Sequence, residues 1–262
     1  EVINPNGYIS NNIELGGNSN QNGILLYGPN AAGKSTLSKA IGINIIMAQA
    51  GFYVPSNKFE FKPYNYIFTR IKNNDNLHAG LSSFQVEMRE LKVILDYCDD
   101  NSIVLGDEIL NSTNSLDATA IMSSALISLH NRKCQFMFAT HLHFLTQLKQ
   151  VTNLEKLKMY HMGILQNPNN PTEIIYERKI RKGSGPKSYA ILISKNMNLD
   201  NDFINTAFSI RRDIEEGRCL HTSKTLEGEN ELIQWGYSKY NNEKVIDKCQ
   251  ICSEIAIDVH HI

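Results

Sequence analysis

The chain has 262 residues and a formal net charge of −1, which is enough for one large domain and a small additional module. The balanced charge argues against nucleic-acid binding through overall positive charge, so such binding needs a local patch or another domain. No run of 18 apolar residues occurs, which excludes a membrane-spanning helix.

The ends and the cysteines indicate a piece of a longer intracellular protein. The first residues lack Met and resemble neither a signal nor a transit peptide, which suggests a fragment. Cys98, Cys134 and Cys219 are scattered, as expected in a reducing compartment. Cys249 and Cys252 form a C-x₂-C pair, which indicates a metal site rather than a disulfide.

The predicted elements follow the alternating order of an α/β protein. Apolar runs bounded by turn residues predict strands, and apolar residues at helical spacing predict helices. We therefore expect a largely parallel sheet flanked by helices, followed by a helical segment. The predicted strands cover residues 8–13, 23–27, 102–105 and 135–139, with a hairpin in 157–180; the predicted helices cover residues 34–48, 82–96, 187–196 and 200–216.

Residues 28–36 have the pattern of a phosphate-binding loop between a strand and a helix. Gly28 and Gly33 let the backbone N–H groups turn inward, and the positive end of the helix faces the phosphates. Lys34 can reach the β- and γ-phosphates, and the Ser35 hydroxyl can bind Mg²⁺. The alternative is a glycine-rich turn that only caps a helix. The predicted ATP-binding residues are Gly28, Pro29, Asn30, Ala31, Ala32, Gly33, Lys34, Ser35 and Thr36.

Two further strand ends carry polar residues that suit ATP hydrolysis. Asp107 follows a buried strand and is predicted to hold Mg²⁺, while Glu108 is predicted to polarise the attacking water. His141 follows another strand and is predicted to sense the γ-phosphate. The alternatives are a solvated turn for the two acids and a structural role for His141. His143 is expected to be a surface or packing residue.

The order of these motifs resembles an ABC-type ATPase, and their details resemble the ATPase domain of MutS mismatch-repair proteins. The resemblance covers roughly residues 5–215. It is carried by Ile67-Phe-Thr-Arg-Ile71, Asp75-Asn-Leu77, Ser82-Ser-Phe-Gln-Val-Glu-Met88, Asp107-Glu-Ile109, Thr113-Asn-Ser-Leu-Asp117, Phe138-Ala-Thr-His-Leu-His-Phe-Leu-Thr146 and Lys187-Ser-Tyr189.

This resemblance implies ATP and Mg²⁺ as cofactors and a homodimer with two composite sites. Tyr8 would stack on adenine and Ile9 would contact the base through its backbone; an ordinary half-buried aromatic is the alternative for Tyr8. Ser82 would begin the signature helix that faces the partner's γ-phosphate, and Asp117 would lie in a loop at the dimer interface. ATP hydrolysis would control a clamp on mismatched or damaged double-stranded DNA through domains absent here, with no membrane partner.

The sequence also departs from the family pattern. The family's Gly-Arg-Gly-Thr-Ser-Thr loop after Asp-Glu reads Leu110-Asn-Ser-Thr-Asn-Ser115, which predicts a stiffer loop and altered coupling between subunits. The family's Gly-Ala-Ser reads Lys72-Asn-Asn74. Ala31 and Ala32 are expected to be harmless. Gly106 stands where an apolar residue would pack better, so the end of its strand is expected to be loose.

The tail resembles the opening of an HNH nuclease. Cys249 and Cys252 would supply half of a zinc ribbon, His260 would bind the catalytic metal and His261 would activate water. Alternatives are one structural zinc bound by these cysteines and histidines, or no metal. A MutS ATPase joined to an HNH nuclease is the arrangement of giant viruses and octocoral mitochondria. This implies a viral factory, host cytoplasm or mitochondrion as the location.

Three segments result: an ABC-type ATPase domain over residues 1–216, a linker over 217–245 and an incomplete zinc/HNH module over 246–262. Two other functions compete with mismatch repair. A transporter's nucleotide-binding subunit would show an LSGGQ-type helix start, where this chain has LSSFQVEM. A recombination or structural factor that dimerises on ATP without turnover is compatible with the altered loop after Glu108.

Overall fold

The structure is a computed structural model that describes residues 9–70, 83–110, 112–167, 170–186, 189–197 and 199–216. The chain divides into two compact units, Glu1–Ala207 and Phe208–Ile262. In the second unit the described residues are 208–216, the end of the last helix. The predicted linker over 217–245 and the predicted module over 246–262 lie outside the described residues.

Strands and helices alternate from residue 23 to residue 167, as the sequence pattern predicts for residues 23 to about 145. The elements are β1 Gly23–Tyr27, α1 Lys34–Gln49, β2 Tyr66–Arg70, α2 Ser83–Tyr97, β3 Ser102–Asp107, α3 Ser115–Asn131, β4 Gln135–Ala139, α4 Lys149–Thr152, β5 Leu157–Asn167, β6 Asn170–Lys182, α5 Tyr189–Asn196 and α6 Asn201–Glu215, of which the last extends into the second unit.

The six strands form one sheet in the order β2-β3-β4-β1-β5-β6. All neighbouring pairs are parallel except β5 with β6, which form the predicted antiparallel hairpin. Leu25 of β1 pairs with Phe138 of β4, and Phe138 pairs with Gly106 of β3. This register places the carboxyl ends of the three central strands side by side, at the edge where parallel sheets bind ligands.

The central strands are buried on both faces. Alternate residues of a strand point to opposite faces, so Leu25 and Ile24 enter two different apolar clusters. On one face Leu25 lies with Leu126 of α3, and on the other Ile24 lies with Ile45 of α1. Helices on both faces are the reason that these strands read as continuous apolar runs.

The predicted strand over residues 8–13 was wrong for its described part. Residues 9–15 belong to no strand, and Tyr8 lies outside the described residues. The Asn11 side chain explains the difference, because its amide donates to the Arg178 carbonyl (2.9 Å) and accepts from the Ile180 N–H (2.7 Å). A side-chain amide therefore replaces main-chain pairing beside β6.

The predicted looseness at Gly106 was also wrong. A Cβ atom built on Gly106 would lie 2.3 Å from Cδ1 of Phe138 and 2.7 Å from Cδ1 of Ile109. The ring of Phe138 already fills the space that an apolar side chain would take. Glycine is therefore required here by close packing, immediately before Asp107.

Candidate functional site

The phosphate-binding loop leaves the carboxyl end of β1 and enters α1 through left-handed backbone. Gly28 has a φ of 146° and Gly33 a φ of 101°, and Ala31 between them has a φ of 64°. Glycine adopts these angles without steric cost, whereas alanine does not. A Cβ on Gly28 would also lie 3.1 Å from Cβ of Met162, so a side chain there would press on β5.

Lys34 is buried at the start of α1 and turns back over its own loop. Its Nζ atom donates to the carbonyl oxygens of Gly28 (2.8 Å) and Pro29 (3.1 Å). Burial lowers the pKa of Lys34, while the nearby carboxylates of Glu108 and Asp107 act to raise it. The loop thus places a cationic group close to two acids at the end of β3.

Asp107 ends β3 with its carboxylate buried. It is 6% exposed, and within the described part of the chain its Oδ1 atom has no hydrogen-bond partner. An unpaired buried carboxylate oxygen is costly unless a cation or water satisfies it. This atom therefore fits the predicted role of Asp107 as a ligand of Mg²⁺.

Glu108 turns away from the strand into left-handed backbone, with a φ of 51°. Its N–H donates to the Ala139 carbonyl (2.9 Å), which fixes the turn to the end of β4. Its Oε1 atom lies 2.7 Å from Nε2 of His141 and 4.0 Å from Nζ of Lys34. The side chain thus faces the phosphate-binding loop rather than solvent alone.

His141 brings the three segments of the site together. Besides Glu108, its Nε2 atom lies 3.2 Å from Oδ1 of Asn30 and 3.4 Å from Nζ of Lys34. One ring nitrogen carries at most one hydrogen, so these contacts compete for it. The short contact to the carboxylate favours donation from Nε2 to Glu108. The sequence pattern predicted Asn30 only as an ATP-binding residue, and nothing in it indicated a contact with His141.

The residues present fit an Mg²⁺–ATP complex. The Ser35 hydroxyl and the Asp107 carboxylate are oxygen donors, and Mg²⁺ usually takes one or two protein ligands together with phosphate oxygens and water. Among the described residues, no group of three or more His, Cys, Asp and Glu side chains is arranged to hold a metal ion.

The other predicted site residues are distributed as follows. Ile9 is 41% exposed, and Thr36 is exposed in the first turn of α1. Asp117 lies in the first turn of α3 rather than in a loop, because the Asn114 side chain accepts from the N–H groups of Leu116 and Asp117 and starts the helix there. Outside the described residues lie Tyr8, Ser82, Cys249, Cys252, His260 and His261.

His143 is a packing residue, as predicted. Its ring stacks on that of Tyr27 at the end of β1, with centroids 5.0 Å apart and planes 23° apart. Ala32, which was predicted to be harmless, is fully buried. The same prediction was wrong for Ala31, whose φ of 64° is costly for alanine. None of the described helices has the length and apolar character needed to cross a bilayer.

The largely parallel sheet carries a glycine-bent loop that enters a helix, with a buried lysine and two acids at the end of β3, which β4 separates from β1. These features define a P-loop nucleotide-binding protein. Residues 24–215 match the family described as MutS domain V. The chain therefore belongs to the MutS family.

Relatives that are similar in sequence are also named as MutS proteins or mutS homologs. The chain is 39% identical over 256 residues to the mitochondrial DNA mismatch repair protein mutS homolog of Sarcophyton glaucum, covering 97% of this chain and 24% of the relative. A putative DNA mismatch repair protein mutS homolog of Acanthamoeba polyphaga mimivirus is 37% identical, over 92% of this chain and 21% of its own length. DNA mismatch repair protein MutS of Clostridium botulinum is 36% identical, over 98% of this chain and 27% of the relative. The chain thus spans about a quarter of the length of these relatives.

Proposed function

We propose that this chain is the Mg²⁺-dependent ATPase domain of a DNA mismatch-repair protein. The observation that carries the proposal is the convergence of Lys34, Glu108 and His141 on one edge of the sheet, beside the phosphate-binding loop. The family match and the names of the relatives support mismatch repair as the process.

Binding of the triphosphate rests on Lys34 and its loop. A lysine ammonium has three donors, and the Gly28 and Pro29 carbonyls accept from it, so a donor is left for a phosphate oxygen. The carbonyl contacts also hold the flexible side chain in place before the nucleotide arrives. Less conformational entropy is then lost on binding.

Mg²⁺, when bound by Ser35, Asp107 and the phosphates, supplies charge neutralisation at the phosphoryl group. Glu108 orients the attacking water and accepts its proton. The bond from His141 holds the Glu108 carboxylate at the edge of the loop, and the Asn30 amide limits the rotation of the imidazole ring. His141 can exchange its contact with Glu108 for one with the γ-phosphate, which is the predicted sensing role.

Dimerisation and DNA binding complete the proposal at the level of the whole protein. Ser82 of one subunit would face the nucleotide of the other, so turnover would require a homodimer. ATP hydrolysis would change the grip of a clamp on mismatched or damaged duplex DNA. One relative is named as a mitochondrial protein and another comes from a mimivirus, and these names support an intracellular location for this chain.

For the tail, we propose a zinc-binding HNH module on sequence grounds alone. Cys249 and Cys252 would bind Zn²⁺, and His260 and His261 would serve phosphodiester cleavage. Zinc content of the purified whole protein, before and after replacement of both cysteines by serine, tests the metal. Equal zinc content in the two proteins would contradict it.

The central experiment replaces Glu108 by Gln and measures ATP binding and steady-state hydrolysis by the whole protein, with matched and mismatched duplexes. We expect ATP to remain bound while turnover falls by about 100-fold or more, because water activation is lost. Glu60→Gln is the matched control, since Glu60 is an exposed acid that pairs with Lys58. Turnover of E108Q at the wild-type rate would overturn the assignment. Wild-type binding of ATP without hydrolysis would favour the dimerising factor instead.

A further inference from the structure

Glu87, a buried acid in α2, is held by residues from two other segments. It is 8% exposed, and its Oε2 atom accepts a hydrogen bond from the Ser112 hydroxyl (2.8 Å). Its Oε1 atom lies 3.7 Å from Nη2 of Arg70, and Nε of Arg70 lies 2.7 Å from Oε2 of Glu90. The two carboxylate oxygens of Glu87 thus have different partners, one ionic and one neutral.

The two partners of Glu87 are both close to the acidic residues at the end of β3, one on the adjacent strand and one further along the chain. Arg70 is the last residue of β2 and pairs in register with Gly106, the residue before Asp107. Ser112 follows Glu108 by four positions and precedes α3. Glu87 therefore connects α2 to the strand beside Asp107 and to the segment that continues from Glu108.

The segment that begins at Glu108 needs such a connection because its backbone is unfavourable. Glu108 and Leu110 have φ angles of 51° and 70°, which non-glycine residues adopt only when their surroundings impose them. The Glu108 N–H is held by the Ala139 carbonyl, and the Leu110 side chain is buried. The bond from Ser112 to Glu87 fixes the far end of the segment.

Ser112 occupies a position where the MutS loop that this chain resembles has glycine. Glycine has no hydroxyl group, so this bond depends on the departure of this sequence from the family pattern. The same departure removes an arginine and the other glycine from the loop.

We propose that Ser112 is a positioning residue for ATP hydrolysis, which acts through Glu87 to tie the Glu108 segment to α2. Displacement of α2 is thereby transmitted to the carboxylate that faces His141. This inference rests on the proposed ATPase function. Within the described part of the chain, the Ser112 hydroxyl bonds to Glu87 and not to Lys34 or the phosphate-binding loop, so its removal changes the turnover step and leaves nucleotide binding intact.

The kinetic test compares Ser112→Ala, Ser112→Thr and the control Ser124→Ala in the whole protein. Ser124 is an exposed serine of α3 whose hydroxyl donates to the Ala120 carbonyl of its own helix. We expect kcat to fall about tenfold in S112A, a loss of one hydrogen bond to a charged acceptor, with KM for ATP within about twofold of wild type. S112T restores the hydroxyl and keeps most of kcat. A kcat of S112A equal to that of S124A would overturn the proposal, as would equal loss in S112T and S112A.

A second measurement tests the connection between Ser112 and Glu87 without relying on ATP hydrolysis. Amide hydrogen exchange in peptides covering residues 103–118 is expected to be several-fold faster in S112A than in wild type, with no change in peptides of β5. Unchanged exchange would refute the proposal that the bond from Ser112 to Glu87 holds this segment in place. If wild type fails to hydrolyse ATP, the proposed function fails, while the exchange result still tests the connection between Ser112 and Glu87.

Discussion

Leu110 has two properties that conflict at the level of a single residue. Its backbone is left-handed, with a φ of 70°, which costs a residue with a Cβ about 1 kcal/mol. Its side chain is 2% exposed within the apolar cluster that contains Leu126 and Phe138. Burial of a leucine contributes about 2 kcal/mol and therefore offsets the strain. The family glycine at this position avoids the strain but fills no space.

This balance predicts the stabilities of two variants. Leu110→Ala loses the buried side chain and keeps the strain, so we expect a loss of about 2–4 kcal/mol in the free energy of unfolding. Leu110→Gly loses the same packing but relieves the strain, and is expected to be about 1 kcal/mol more stable than L110A. Urea denaturation measures both values. A glycine variant less stable than the alanine variant would contradict the account.

Gly106 tests close packing beside Asp107 and Glu108, the two acids of the proposed site. Gly106→Ala forces a Cβ against Phe138 and Ile109, and we expect a loss of about 1–3 kcal/mol in stability. Gly42→Ala is the matched control, because a Cβ there meets a single atom, Cδ1 of Leu105 at 3.1 Å, and a helix favours alanine over glycine by about 1 kcal/mol. Thermal unfolding of both variants checks the contrast. Equal stability of G106A and G42A would show that Phe138 and Ile109 can move to accommodate a Cβ at the end of β3.

At the level of elements, the start of α3 decides where Asp117 lies. The Asn114 side chain accepts from the Leu116 N–H (3.1 Å) and the Asp117 N–H (2.9 Å), so two free helix donors are satisfied at once. Asp117 then stands in the first turn, where a negative charge interacts favourably with the helix dipole. The sequence suggests a continuous loop after Glu108, but in the structure the helix α3 begins at Ser115.

We predict that Asn114→Ala lowers the free energy of unfolding by about 1 kcal/mol, the usual effect of losing a helix cap. Asn114→Ser keeps an oxygen acceptor and is expected to stay within about 0.5 kcal/mol of wild type. Chemical denaturation followed by circular dichroism measures the difference. Equal stability of the alanine and serine variants would argue that packing of α3, rather than its cap, sets the start of the helix.

At the level of the whole molecule, the proposed composite sites make activity depend on concentration. In the proposed site, ATP binding would rest on Lys34 and its own loop, whereas hydrolysis would also need the signature helix of a second subunit. We therefore predict that the ATPase rate per chain falls on dilution below the dimer dissociation constant, while ATP affinity per chain changes little. Sedimentation at the same concentrations reports the oligomeric state. A constant rate per chain in a monomeric sample would contradict the composite site.

Much of this molecule was predictable because its signals are local. The strand Gly23–Tyr27 was predicted with its observed bounds, and the helix from Lys34 to within one residue, because an apolar run and helical periodicity depend on near neighbours. The short strand Tyr66–Arg70 and the helix Ser115–Asn131 were not individually predicted. The first is a half-exposed run without clear alternation, and the second begins through a cap that loop-like residues conceal.

By itself, the sequence determined the phosphate-binding loop, the two acids at the end of β3 and the family, since each depends on residue type at fixed spacing. Only the tertiary structure decided that one nitrogen of His141 lies near Glu108, Asn30 and Lys34, and that Phe138 fills the space beside Gly106. These contacts join residues more than thirty positions apart. Their geometry follows from the strand order and register of the folded sheet, which bring together segments that are far apart in the sequence.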